Sequence, residues 1–364
     1  MKTNDLVPRV GTPSIHPDAL AAAATAAIRE VLAQGTAANT ARSYATALRY
    51  WGGWFQLRYG QRLPWPVPEA TVLQFVVDHL ARRGTDGPVW ELPATLDATL
   101  VAARLKQRPG PFALATLTHR IAVLSKAHTL RGAPNPCAAP AVRELLSRAR
   151  RAAVQRGERP RKKTAITRVE LEAVLAACDD SLEGIRDRAL LCFAFASGGR
   201  RRSEVAAADV ADLHRVKEGT FVYRLVHSKS QQAGASTAAE KPIVGRAAEA
   251  MAAWLEASGV REGPVFRRLW KQRIGAGLSP AAIGAIVQRR ARAAGLEGDF
   301  GGHSLRAGFV TEGARQGIAL PALMAMTEHR SVASIMGYFH AGGAAANPAA
   351  RLLDRPIEPD PPLP

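Results

Sequence analysis

Cysteine is close to absent from this chain. Only Cys137, Cys178 and Cys192 occur among 364 residues, and no Cys-x-x-Cys pair is present. A cysteine-based zinc site is therefore not supported, and a reduced setting is expected. Cys178 and Cys192 fall in apolar, helix-like runs and read as core. Long hydrophobic runs are missing as well. None reaches the length of a membrane span, and the N-terminus lacks the basic-then-apolar layout of a signal peptide. A cytoplasmic location is the expectation. Acidic residues are the third shortage: 31 Asp+Glu stand against 49 Lys+Arg, a formal charge of +18. A merely soluble alkaline protein would show the same balance. Here the positive charge clusters, which favours a polyanion partner, nucleic acid above all.

What is present reads as mainly α, in two parts. Residues Met1 to about His16 read as a loose tail, and Pro17–Gln34 as an alanine-rich helix. The pattern predicts helices over Thr36–Tyr59, Glu69–Arg83, Thr116–Leu130 and Pro140–Gln155. In the first of these Tyr44, Leu48, Trp51, Trp54 and Phe55 recur at helical spacing and read as core rather than as a base-stacking surface. Gly157–Lys163, charged and proline-containing, is the candidate linker. Beyond it, Thr167-x-x-Glu170 has the form of a capping box, and Leu182–Ser197 that of an apolar helix. Phe221–Ser228 reads as a strand, Gln231–Thr237 as a hairpin loop and Lys241–Val244 as the return strand. Helices are predicted over Met251–Ala257, Pro280–Ala294, Ser304–Gln316, Pro321–Met326 and Val332–Phe339. The second part is thus mostly helical with a small antiparallel sheet, and no internal repeat is visible.

The candidate chemistry lies in this second part. Arg201 follows Gly198-Gly199 and precedes Glu204 by three residues. His303 and Arg306 share one helix face, His329 follows, and Tyr338 comes nine residues later. Lys229 stands at the end of the predicted strand. Two arginines, a lysine, two histidines and a tyrosine suit a metal-free attack on a phosphodiester, with tyrosine as nucleophile and fixed cations holding the charged transition state. Taken singly, each has a plain structural reading: a capping histidine, a solvated lysine, a core tyrosine, a helix-surface Arg–Glu pair. The ordered set is far more specific.

In Gly199–Val205, His227–Ser230, His303–Arg306, Glu328–Ser331 and Gly337–Tyr338 the chain resembles the tyrosine recombinase (phage integrase) family, from about Thr36 to the C-terminus. The resemblance implies a helical, SAM-like core-binding domain over 36–156, a linker over 157–163 and a catalytic domain over 164–354. Residues 1–35 would precede these as a tail and helix, and 355–364 would follow as a disordered tail. It implies that Tyr338 forms a 3′-phosphotyrosine, that Arg201 and Arg306 clamp the phosphate, and that Glu204 orients Arg201 or a nearby histidine. Lys229 would protonate the leaving 5′-oxygen, His303 would take the tyrosine proton or hold a phosphate oxygen, and His329 would donate to one. Neither ATP nor metal nor another cofactor is implied. Double-stranded DNA is the implied partner, bound at the nucleoid by a homotetramer on two sites, with a helix over 348–354 exchanged between protomers. Arg148, Arg150, Arg151, Arg161, Lys162, Lys163, Arg200 and Arg202 are the candidate DNA-facing cations, Arg200 and Arg202 being read as solvated neighbours of Arg201. One departure stands out: the family has glycine before the second histidine, and this chain has Glu328. A carboxylate turned toward a phosphate there would be unfavourable.

Overall fold

The computed structural model describes Glu30, Gly35 and residues 38–85, 87–158, 163–226, 239–271, 273–329 and 331–343, the last five by backbone course only. The predicted helix Pro17–Gln34 apart from Glu30, the hairpin loop 231–237, most of the linker and the helix over 348–354 lie outside the described residues. The chain divides into two compact units, Met1–Pro160 and Arg161–Pro364.

The first unit is built on α1 (Ala38–Tyr59), α2 (Glu69–His79), α3 (Ala94–Ala102), α4 (Leu114–Leu130) and α5 (Pro140–Gln155), with a two-stranded ribbon of β1 (Arg82–Gly84) and β2 (Gly87–Val89). Tyr50, Trp51, Trp54 and Phe55 of α1 are buried, and Trp51 stacks on Phe75 of α2 with ring centroids 3.6 Å apart. Trp51, Trp54 and Phe55 are core, as their spacing predicts, with Leu48 packed against them, whereas Tyr44 is only half-buried and the buried Tyr50 was not in the expected set. Their polar edges are satisfied inside: the Trp54 indole donates to Asp78 at 2.9 Å, and Tyr50 Oη lies 2.7 Å from His79 Nε2. Burial holds the His79 imidazole down to about 3.

Two expectations fail here. The helix expected to run to Arg83 stops at His79, because Leu80 turns extended and Arg82–Gly84 pairs with Gly87–Val89. Glycines at both ends of that ribbon's tight turn supply the reversal, and Gly87 has φ 127°. Helix α3 was not expected at all. It starts behind Pro93, and its Asp97 carboxylate, buried, accepts from the Lys106 ammonium and from the Gly110 N–H at 2.6 Å, pinning the loop that follows.

The second unit packs α6 (Arg168–Ala176), α7 (Leu182–Ala196), α8 (Arg202–Ala206), α9 (Arg246–Ser258), α10 (Pro280–Ala293), α11 (Gly302–Arg315), α12 (Leu320–Thr327) and α13 (Val332–Gly343) around small antiparallel sheets. The main sheet has the order β3 (Leu213–Lys217), β4 (Thr220–Leu225), β5 (Ala239–Val244). Phe221, Tyr223 and Leu225 of β4 point into the core, as their alternation predicts. Register pairs Tyr223 with Lys241. The capping box at α6 is present: Glu170 accepts from the Thr167 N–H at 2.8 Å. Helix α9 begins at Arg246, five residues before the predicted start, directly after Gly245. Strand β3 and the hairpin of β6 (Arg267–Trp270) and β7 (Arg273–Gly277) were not anticipated, since most of their residues face solvent and give little apolar alternation. Among the described residues no helix is long and apolar enough to cross a membrane.

Candidate active site

Arg201 is the residue just before α8. Its backbone N–H donates to Glu204 Oε2 at 3.0 Å, and its guanidinium donates to Glu204 Oε1 at 2.5 Å. Glu204 is buried and so serves both as N-terminal cap and as counter-ion. Of the two partners considered for this carboxylate, the arginine is the one it contacts.

The paired glycines upstream have a definite task. Gly199 has φ 65°, and a Cβ there would lie 2.5 Å from Arg306 Cα. The turn before α8 and the first turns of α11 can thus touch backbone to backbone. The Gly199 carbonyl accepts from Arg306 Nη1 at 3.3 Å.

Arg306, 5% exposed, is the centre of the site. Its Nη2 donates to the Thr327 carbonyl and lies 3.3 Å from both ring nitrogens of His329. Burial first, then Arg201 and Arg200, press its affinity for a proton downward. The same causes, burial and the Arg306, Arg201 and Arg200 guanidiniums, hold His329 down to about 4. His303, near the start of α11, is lowered by loss of solvent on one side and by Arg306, Arg201 and Arg202. Both shifts favour the neutral imidazole in the free protein. The hydrogen bonds also select a tautomer for His329. Thr327 Oγ1 spends its proton on the Leu323 carbonyl at 2.7 Å, so it accepts from His329 Nδ1–H, also at 2.7 Å. Nε2 is then left as the acceptor.

Tyr338, half-buried on α13, packs against Val310, Leu323 and Ile335. Its backbone carbonyl accepts from Thr311 Oγ1 of α11 at 3.3 Å. Arg201, Glu204, His303, Arg306, His329 and Tyr338 are thus brought to one neighbourhood, where cations outnumber the one buried carboxylate. Such a place is made for an anion. Lys229 lies outside the described residues, as do Arg161 and Lys162. The side chain of His340, a lesser candidate, is also outside them.

The remaining cations divide. Arg148, Arg150, Arg151 and Arg202 are exposed, with Arg148 paired to Glu144 one turn away and Arg151 donating to Ser147 at 3.2 Å. Lys163 is engaged with Asp299. Arg200 corrects the expectation made for it. It is not solvated but 1% exposed, its Nη2 donating to the Met326 carbonyl and its Nη1 3.7 Å from Glu204. Its Nε and Nη1 find no hydrogen-bond partner among the described residues. The turn at Gly198-Gly199 sends this side chain inward, against the end of α12.

Sequence reasoning missed Lys241. It is 3% exposed and donates to Glu328 Oε1 at 2.6 Å and to the Ala325 carbonyl at 2.7 Å. A signal did exist: on β5 Lys241 shares the inward face with Ile243, where a lysine is out of place unless it has a partner.

Comparison with known proteins agrees with this geometry. The model of the phage integrase family matches residues 164–343. An integrase/recombinase XerD homolog of Selenomonas ruminantium is 30% identical over 243 residues, 62% of this chain and 68% of that protein. Recombinase Cre of Escherichia phage P1 is 27% identical over 260 residues, 66% of this chain and 75% of the relative. Among solved structures, the Tn1549 transposon integrase in complex with transposon right end DNA has the same fold, with TM-score 0.56 at 13% identity, covering 89% of this chain and 98% of the other. A lambda integrase dimer bound to a core site gives TM-score 0.51 at 15% identity, over 88% and 95% of the two chains. With the ordered arginine, His-x-x-Arg, histidine and tyrosine gathered round one buried guanidinium, and with these relatives, this chain belongs to the phage integrase family.

Proposed function

We propose that the protein is a site-specific DNA recombinase that cuts and rejoins strands through a 3′-phosphotyrosine at Tyr338. The observation that carries the reading is Arg306, buried between the Gly199 turn, His329 and α12, with Arg201 oriented beside it by Glu204. Two guanidiniums held this way can grip the non-bridging oxygens of one phosphate and stabilise the charge that grows there. The Tyr338 hydroxyl attacks phosphorus and gives its proton to His303. The bond to the 5′-oxygen breaks, and Lys229 protonates that oxygen as it leaves. A 5′-hydroxyl from a partner strand reverses the step, so the bond energy is kept and no nucleotide is consumed. Residues 36–156 serve as the core-binding domain and 164–354 as the catalytic domain. The exposed arginines of α5 and the basic linker meet backbone phosphates. Four protomers on two sites, exchanging residues 348–354, complete the assembly.

His329 enters as a proton-linked donor. Free, it has Nε2 unprotonated; a phosphate oxygen beside Nε2 favours the imidazolium and raises its pKa. The complex therefore binds more protons than the free partners. Affinity for DNA should tighten as pH falls from 7 toward about 4, the free value, and level off below it. Calorimetry in buffers of different ionisation enthalpy should detect the uptake, and His329→Gln should remove its share. An uptake that is unchanged in that variant counts against the role.

The decisive assay uses duplexes carrying a site selected by the protein from random sequence. Covalent capture on a nicked substrate, followed by strand transfer between two duplexes, is the expected result. Capture with religation of the same strand only would mean a type IB topoisomerase-like activity. A bound site with no capture would leave a non-catalytic DNA-binding protein.

A further inference from the structure

Glu328 adopts a left-handed backbone, φ 59° and ψ 37°, at the end of α12. Side chains other than glycine and asparagine rarely take this conformation, and nothing in a glutamate favours it locally. The next residue is His329, so the error in this turn is passed directly to the imidazole. Something outside the turn must hold it.

Three buried cations do so, each on a successive carbonyl of the last turn of α12. Lys241 Nζ of β5 donates to Ala325, Arg200 Nη2 to Met326 and Arg306 Nη2 to Thr327. These carbonyls have no acceptor role left inside the helix, and positive charge is favourable at a helix C-terminus. Lys241 does more than the other two: it also takes the Glu328 carboxylate at 2.6 Å. The carboxylate that seemed a liability beside a phosphate is thereby neutralised and turned to the strand. The residue before His329 is fixed by its side chain as well as by its backbone.

We propose that Lys241, acting through Glu328, is a positioning residue for His329: the ion pair replaces the conformational ease of glycine and locks the turn that presents the imidazole. The consequence for catalysis rests on the recombinase reading above; the consequence for the ring does not. β4 and β5 flank residues 226–238, which include Lys229, so the lock also ties the turn to the strand that closes that segment.

Lys241→Met, Glu328→Gly and the double variant test this. Lys241→Met leaves an unpaired carboxylate on a left-handed residue. At saturating protein, adduct formation on the nicked substrate should slow about 10- to 100-fold, the effect of a small misplacement, while DNA affinity stays within about threefold. Adding Glu328→Gly removes the lone carboxylate and supplies a residue at ease in the turn. The double variant should recover most of the lost rate, a rescue that a merely structural role of Lys241 does not produce. A readout independent of activity is the His329 ring signal in 13C-histidine-labelled protein, assigned with His329→Gln. It should be single in the wild type, shifted and broadened in Lys241→Met, and restored in the double variant. A wild type that forms no adduct would sink the recombinase reading while the ring signal still decides the lock. A ring signal indifferent to Lys241→Met, or a double variant no better than the single one, would overturn the proposal.

Discussion

Tyr338→Phe should bind DNA as the wild type does and form no covalent adduct, a loss of about 10^4-fold or more in cleavage. Two structural contacts of Tyr338 do not use the hydroxyl. The ring packs on Val310, Leu323 and Ile335, and Thr311 donates to the backbone carbonyl. Phenylalanine keeps both, so the fold should be retained, which thermal unfolding checks. The cations that would hold the phosphate are untouched. Denaturing electrophoresis of the nicked substrate reads the adduct, and a mobility shift on the same DNA reads binding. An adduct formed by the phenylalanine protein would place the nucleophile elsewhere, and loss of binding would mean that the hydroxyl serves the ground state.

The family was legible because the order of its motif residues along the chain is itself information: arginine, His-x-x-Arg, histidine, tyrosine. What each does locally was less so. Arg200, Arg201 and Arg202 are indistinguishable as letters, yet one is buried against Met326, one is bonded to Glu204 and one is exposed. Only the turn at Gly198-Gly199 decides which faces where. Glu328 looked like a defect, because its partner Lys241 is 87 residues away in the chain and long-range pairs leave no local pattern. Helices with a proline at the start, such as Pro140–Gln155 and Pro280–Ala294, were read close to their true bounds, and the capping box at Thr167 marked the start of another. The ribbon at Arg82–Val89 and the hairpin at Arg267–Gly277 were not, since short exposed strands carry little apolar alternation.

Arg306→Lys should slow cleavage by about 10^2–10^3-fold, less than loss of the tyrosine but large for a change that keeps the charge. The guanidinium serves several directions at once: Nη1 toward the Gly199 carbonyl, Nη2 toward the Thr327 carbonyl and the His329 ring. A lysine places a single nitrogen in that space and cannot span the gap between the two backbone segments. One buried carbonyl would be left unpaired, costing about 1–3 kcal/mol of stability. A phosphate would also lose one arm of its clamp, which for a single transition-state donor is worth about 10^2–10^3 in rate. DNA binding, spread over many exposed cations, should change little. Adduct formation at saturating protein, read beside thermal unfolding, separates the two losses. If the lysine protein cleaves at the wild-type rate, net charge alone is what the site requires, and the fixed geometry around Arg306 is dispensable. If cleavage falls by that factor while binding holds, the guanidinium acts by its shape, and the contact of Gly199 with α11 is what keeps that shape in register.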